Sequence, residues 1–249
     1  MSTPVVTVAA GGLPVVDVGT GKLGLPVTEA TNGRGIAVTK VVGKPGLPVV
    51  FDTIGVTAPF TGTTWNAADK SVNITLSNAD LTASATSAGG SYSTVRTISS
   101  KASGKYYFEM KISGSMSANM SVGIANALAS VTSYLGANNN SIGMNADGVI
   151  FRNNASVGTG TNPLTGDIVS CAVDRTNNMI WFRVNGGIWN NNAANDPATN
   201  IGGVAIALVT GAIFIAWTGY IAGDICILNT GSSAFAYPVL PAGFAGWPP

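Results

Sequence analysis

The sequence predicts an all-β protein, a jelly-roll β-sandwich that follows an extended N-terminal repeat segment of short strands and turns. Three observations predict it. From about Phe60 onward, short runs of alternating apolar and polar residues are separated by polar turns, with no helical periodicity. The first 55 residues instead repeat one phrase around a proline. The composition also suits a surface made of turns and strand edges. Of 249 residues only 9% are charged, 46% are hydrophobic and 32 are glycine, whereas soluble domains average roughly 25% charged residues. Two domains are expected, residues 1–55 and residues 56–249.

In the first domain Pro4, Pro14, Pro26 and Pro48 share a column in which Ala37 replaces the missing proline. This gives five copies of a unit of about eleven residues. Each unit has a strand half, such as Leu13-Pro14-Val15-Val16 or Leu25-Pro26-Val27-Thr28, and a glycine-rich turn, such as Gly19-Thr20-Gly21-Lys22. Glycine supplies the positive φ angles that tight turns need. Residues on either side of the proline share a strand face. The candidate assembly residues are therefore Leu13, Val15, Leu25, Val27, Ile36, Val38, Leu47 and Val49.

Two such side chains contribute about 1.5–3 kcal/mol each when buried. That does not offset ordering eleven residues at about 1–2 kcal/mol each. A unit of this kind needs neighbours. Proline donates no backbone hydrogen bond, so each strand suits an edge. The segment reads as a trimeric shaft sharing a thin core, as an arm laid along a partner, or as a disordered Gly/Pro linker. The preserved Leu-x-Val pattern argues against the linker.

In the second domain, Lys105–Ile112 places Tyr106, Phe108, Met110 and Ile112 on one face and Tyr107, Glu109 and Lys111 on the other. Asp167–Asp174 aligns Val169, Cys171 and Val173. Met179–Val184 aligns Ile180, Phe182 and Val184. Asn185-Gly186 signals a hairpin turn, with Ile188-Trp189 expected to begin the return strand. The apolar stretch Ile201–Trp217 is shorter than the ~20 residues of a membrane span. It is expected to be two buried strands about a Thr210-Gly211 turn. Cys171 and Cys226 read as buried thiols or as a disulfide pair; two cysteines are too few for a disulfide scaffold or a zinc cluster. Of the five tryptophans, Trp181 is expected in the core, and Trp65 fits either the core or a binding platform.

Most catalytic chemistry is excluded. The chain has no histidine, which removes serine and cysteine triads and the usual catalytic zinc sites. Its only glutamates are Glu29 and Glu109, and no strand carries the paired acids of a glycosidase. Asp167 and Asp174 are expected to cap strand ends and turns. The glycine-rich runs open no helix, so no phosphate cradle is expected. No cofactor and no metal are expected. A net charge of +1 offers no footprint for nucleic acid. Met1-Ser2-Thr3-Pro4 has the features of no signal peptide.

Five phrases, in order, resemble the SPRY domain, a concanavalin-like β-sandwich: GKYYFEMKI (104–112), VGIA (122–125), YLGANNNSIGMNADGVIFRNN (134–154), GDIVSCAVDRTNNMIWFRVNGGIW (166–189) and ILNTGSSAFAYPVLPAGF (227–244). The resemblance implies a binding module that presents loops at one edge of the sandwich, not an enzyme. The candidate ligand-binding residues it implies are Tyr134, Asn138, Asn139, Asn140, Arg152, Asn153 and Asn154, with Asn190–Asn195 as a further loop. For each of them, ordinary turn chemistry is the competing role, because asparagine tolerates left-handed conformations.

The N-terminal Gly-x-Leu-Pro-Val phrases resemble those ahead of β-rich modules in bacteriophage virion proteins. Together the resemblances imply a virion-surface structural protein, either a fibre or spike or a capsid decoration. It would bind other virion proteins through residues 1–55 as a homotrimer. Its module would meet a host-surface glycan or protein, with no membrane insertion. A soluble SPRY-type peptide-binding adaptor is the alternative, and a glycan hydrolase a more distant one.

Overall fold

Alternation along each strand of the second domain builds two antiparallel sheets with a shared apolar core. In this computed structural model the described residues are 6–8, 14–16 and 62–248. The chain forms two compact units, Met1–Ala58 and Pro59–Pro249. In the first, β1 (Val6–Val8) pairs antiparallel with β2 (Pro14–Val16), with Val6 opposite Val16 and Val8 opposite Pro14. Pro14 takes the first position of its strand, where a missing N–H matters least. Of the assembly candidates, Val15 lies in β2. Leu13, Leu25, Val27, Ile36, Val38, Leu47 and Val49 lie outside the described residues.

The second unit runs through β3 (Trp65–Lys70), β4 (Ile74–Ser77), β5 (Thr82–Ala85), β6 (Ser93–Lys101), β7 (Lys105–Gly114), β8 (Ser121–Asn126), β9 (Ser141–Asn145) and β10 (Val149–Arg152). It continues through β11 (Ala155–Thr159), β12 (Ile168–Asp174), β13 (Met179–Val184), β14 (Val204–Ala205), β15 (Ile213–Gly219), β16 (Asp224–Asn229) and β17 (Ala245–Gly246). One sheet is ordered β11-β10-β9-β8-β15-β6-β3 and the other β14-β13-β12-β7-β16-β5-β4, with β17 parallel to the start of β7. Among the described residues the one helical element is a 3-10 turn at Trp189–Asn191, and no helix is long and apolar enough to cross a membrane.

The inward faces are those the alternation predicts. Phe108, Met110 and Ile112 meet Val169, Cys171, Val173, Ile180, Phe182 and Val184 in one cluster, and Tyr106 packs against it. Trp65, Trp181, Trp217 and Trp247 are fully buried and Trp189 nearly so, so Trp65 is a core residue. Cys171 and Cys226 are free, buried thiols on the strands flanking β7. Burial pushes both thiols up, with Cys226 adding to the effect at Cys171. Neither thiol is therefore expected to react with a disulfide reagent in the native protein at pH 8, and both should react at once in denaturant. Stoichiometric labelling without denaturant would contradict this burial.

Two expectations are corrected. Asn185 and Gly186 do adopt positive φ angles of 50° and 69°, but no return strand follows. Beyond the turn the chain curls at Trp189–Asn191. The Asn190 side chain then occupies the β13 edge, accepting from the Phe182 N–H at 2.9 Å and donating to the Ile180 carbonyl at 3.5 Å. One amide thus supplies the bonds a strand would have made. Likewise, Ile201–Trp217 is not a pair of buried strands about a turn. Its first strand is the two-residue β14, and residues 206–212 carry the chain across to the opposite sheet, where β15 begins.

The outward face of the β7 sheet is covered as well. Glu109 is buried, and its carboxylate accepts from the Tyr107 hydroxyl at 2.8 Å and from the backbone N–H groups of Ala236 and Tyr237 at 2.8 and 2.9 Å. These bonds strap residues 231–244 over Tyr107 and Trp181, with Phe235 and Phe244 packed edge-on against their rings. The strap ends in Trp247, whose N–H bonds the Thr230 carbonyl at 2.9 Å and whose ring plugs the core beside Phe108.

Candidate functional site

Residues 127–140, between β8 and β9, form a flap over the outward face of the other sheet. Asn126 pins both ends of it. Its side-chain amide donates to Asn140 Oδ1 at 3.3 Å and to the Thr210 carbonyl at 3.1 Å, while its own oxygen accepts from the Leu128 N–H at 2.9 Å. Thr94 holds the middle, its N–H on the Val131 carbonyl at 2.8 Å and its hydroxyl on that of Ser133 at 2.7 Å. Arg96 is buried. It forks onto Asp69 at 2.8 and 2.6 Å and reaches the carbonyls of Asn126 and Ala129.

The flap lies close because the sheet beneath it lacks side chains. Gly123 and Gly143 face each other across β8 and β9. A Cβ on Gly143 would stand 2.5 Å from that of Leu135, and one on Gly136 (φ 95°) would stand 2.2 Å from the Phe151 carbonyl oxygen.

The flap brings some predicted residues together. Asn138 bonds within its own turn, its side-chain oxygen taking the Asn140 N–H at 2.9 Å, and its carbonyl accepts from Asn153 at 3.3 Å. Asn153 and Asn154 form the β10–β11 turn at φ 51° and 57°. Asn139 is exposed at the flap's return. The Tyr134 hydroxyl donates to Asn154 Oδ1.

Tyr134 also introduces residues that sequence reasoning missed. Its ring lies 5.2 Å from that of Tyr92, which lies 4.9 Å from that of Tyr220, and Phe151 closes the other side at 6.1 Å, edge-on. Tyr92 immediately precedes β6 and Tyr220 immediately follows β15, and those strands are paired at that end, Ser93 opposite Gly219. Register alone therefore brings the two tyrosines together. The only linear hint was their position beside glycine turns, GGSYS and TGYIAG.

Arg152 leaves this group. It points to the sandwich edge, where its guanidinium donates to the Ala205 carbonyl and its Nε is buried without a partner. There it lines an open groove of about 600 Å³ between the edge strands β11 and β14, floored by Val157 and Val204 and lipped by Asn192. The asparagines of that loop are mostly structural. Asn190 and Asn191 have φ of 43° and 53°, and Asn195 donates to the Trp189 carbonyl at 3.0 Å.

The carboxylates of the sandwich hold backbone. Asp167 accepts from the Leu164 N–H at 2.8 Å and the Asn185 amide at 2.6 Å. Burial opposes ionisation of Asp174, but the Asn177 N–H and side chain and the Lys105 ammonium outweigh it and hold the carboxyl below its usual value. Asp224 is buried and takes the N–H groups of Ser117, Tyr220 and Ile221 and the Ser117 hydroxyl.

Residues 105–209 match the family model of the SPRY domain. Among solved structures, the SPRY domain of human HERC1 aligns with a TM-score of 0.54 at 14% identity, over 66% of this chain and 96% of that one. The TRIM65 PSpry domain aligns with a TM-score of 0.50 at 12% identity, over 68% and 92%. No curated protein matches the chain. The sandwich therefore has the SPRY fold.

Proposed function

We propose that this chain is a non-enzymatic binding protein of a bacteriophage virion surface. Its SPRY-fold sandwich is displayed for adhesion, and residues 1–55 join it to other virion proteins or to two further copies of itself. One observation carries the binding role. Glu109, Asp167, Asp174 and Asp224 are committed to holding strands and loops, while the loops at the β6 and β15 ends of the other sheet offer aromatic rings and amides. That is contact chemistry without a reactive group. The attachment role is supported by the repeat, whose units are too thin to fold alone, and by the resemblance of its phrases to virion proteins.

Cross-linking of purified virions tests this. Lys22, Lys40 and Lys44 supply amine handles within the repeat. The expected cross-links run from these lysines to another virion protein or to a second copy of the chain. A chain absent from purified particles and monomeric by light scattering would overturn the proposal in favour of a soluble peptide-binding adaptor.

A further inference from the structure

We infer that the aromatic row Tyr220–Tyr92–Tyr134 binds the uncharged pyranose rings of a neutral oligosaccharide. This deepens the adhesion reading above and rests on it. The three rings come from separate parts of the chain, yet they stand 4.9 and 5.2 Å apart, tilted at 54° and 45°. All three are half-buried, so each is held by the protein and still meets solvent. An aromatic face carries negative charge and a phenol edge carries a polar handle. A sugar presents the matching pair, a face of polarised C–H bonds and a rim of hydroxyls.

The rings are preorganised. Gly90, at φ 75°, packs against Tyr220 so closely that a Cβ there would lie 2.8 Å from the ring. The Tyr92 hydroxyl bonds Asn119 Oδ1 at 3.4 Å, and the Tyr134 hydroxyl bonds Asn154. Tyrosine held this way contributes contact area at low entropic cost. Burial, and then the neighbouring Tyr220 and Tyr134, push the Tyr92 phenol up, in keeping with hydroxyls gathered in one place.

The chemistry of the rim selects the ligand class. The side-chain hydrogen-bond and ring partners of the row are Asn119, Asn154 and Phe151, all uncharged, and the one carboxylate bonded to it, Asp224 on the Tyr220 N–H, is buried and taken up by backbone and Ser117. An acidic glycan or a charged peptide would find no counter-ion among them. Amides and phenols instead pair with vicinal hydroxyls, which need both donors and acceptors. The row lies on the outward sheet face, and a succession of rings at about 5 Å suits consecutive sugar units.

A printed array of neutral oligosaccharides, with hyaluronan fragments as the acidic control, tests this on the full chain. Binding to at least one neutral member is expected, with none to hyaluronan. In the wild-type protein, titration with that sugar should shift the ring resonances of Tyr92, Tyr134 and Tyr220 by NMR. Tyr92→Ala and Tyr220→Ala should weaken binding about tenfold or more. Tyr134→Phe keeps the ring and should weaken it less. Val239→Ser, on the exposed strap of the opposite sheet, should leave it unchanged.

No neutral sugar bound, or a bound sugar that leaves the tyrosine resonances unmoved, overturns the inference. So does a display-selected peptide that occupies the row when no sugar does. Should the sugars fail while the chain is still found in virions, the inference falls alone. Absence from virions together with a monomeric chain defeats the adhesion reading whatever the array shows.

Discussion

Replacing Glu109 with alanine is expected to lower the stability of the sandwich by about 3–5 kcal/mol, measured as a drop in the urea midpoint. The carboxylate takes two backbone N–H groups of the strap and the Tyr107 hydroxyl. Its loss leaves two backbone N–H groups unpaired and the Tyr107 hydroxyl with only the Tyr237 carbonyl at 3.5 Å, at about 1–3 kcal/mol for each donor left buried and unpaired. Part of that cost is avoided if the strap lifts, so the variant should also be cut by protease between residues 231 and 244 well before it unfolds.

Tyr107 reports the same event. Burial, with a smaller contribution from Glu109 and against the Arg183 hydrogen bond, pushes its phenol up to about 12 from 10.0. A raised folded-state value means stability that is full below pH 10 and lost as pH rises toward 12. In the variant with a lifted strap the phenol should titrate nearer its ordinary value, and this alkaline dependence should shrink. An unchanged midpoint together with an uncut strap would show that Glu109 does not hold it.

Arg96→Met is expected to cost about 3 kcal/mol, the lower end of the range for breaking a buried ion pair, because the Asp69 side chain retains 27% exposure and can recover water. The local consequence matters more. Arg96 joins Asp69 to the carbonyls of Asn126 and Ala129 at the root of the flap. Hydrogen exchange should therefore quicken across residues 127–140, most at the root, while β7 and β12 stay protected. Arg96→Lys should recover little, since one ammonium does not reproduce a fork that serves a carboxylate on one side and two carbonyls on the other. Full protection of the flap in Arg96→Met would assign its anchoring to Asn126 and Thr94 instead.

Legibility followed the range of the physics involved. The faces of β7, β12 and β13 were readable because alternation is local and their core side chains are large. The Asn185-Gly186 turn was readable for the same reason. The missing return strand was not, because what replaces it is a side-chain amide, Asn190, bonding a strand edge eight residues back. The strap was illegible because Glu109 pairs with backbone N–H groups, which any sequence carries. Only an acid on the outward face of a strand hinted at it. Of the aromatic row, Tyr134 was in view from the loop, but Tyr92 and Tyr220 meet through the pairing of β6 with β15, and register between distant strands leaves no linear mark. Arg152 and Asn153 looked like one site on one turn. Adjacent residues at a strand end face opposite ways, and so they parted.

The strand order also constrains how the protein comes into being. In one sheet β15 fills the gap between β6 and β8, and in the other β16 fills the gap between β5 and β7. A ribosome delivers each filler after both of the strands it joins. Until residues 213–229 emerge, both half-sheets wait with open edges, and Trp247 arrives later still. The sandwich is therefore closed by about its final fifth rather than grown from its start, with the slow folding of a fold rich in distant contacts. A nascent chain of this kind depends on shielding of its edges until residues 213–229 have been made.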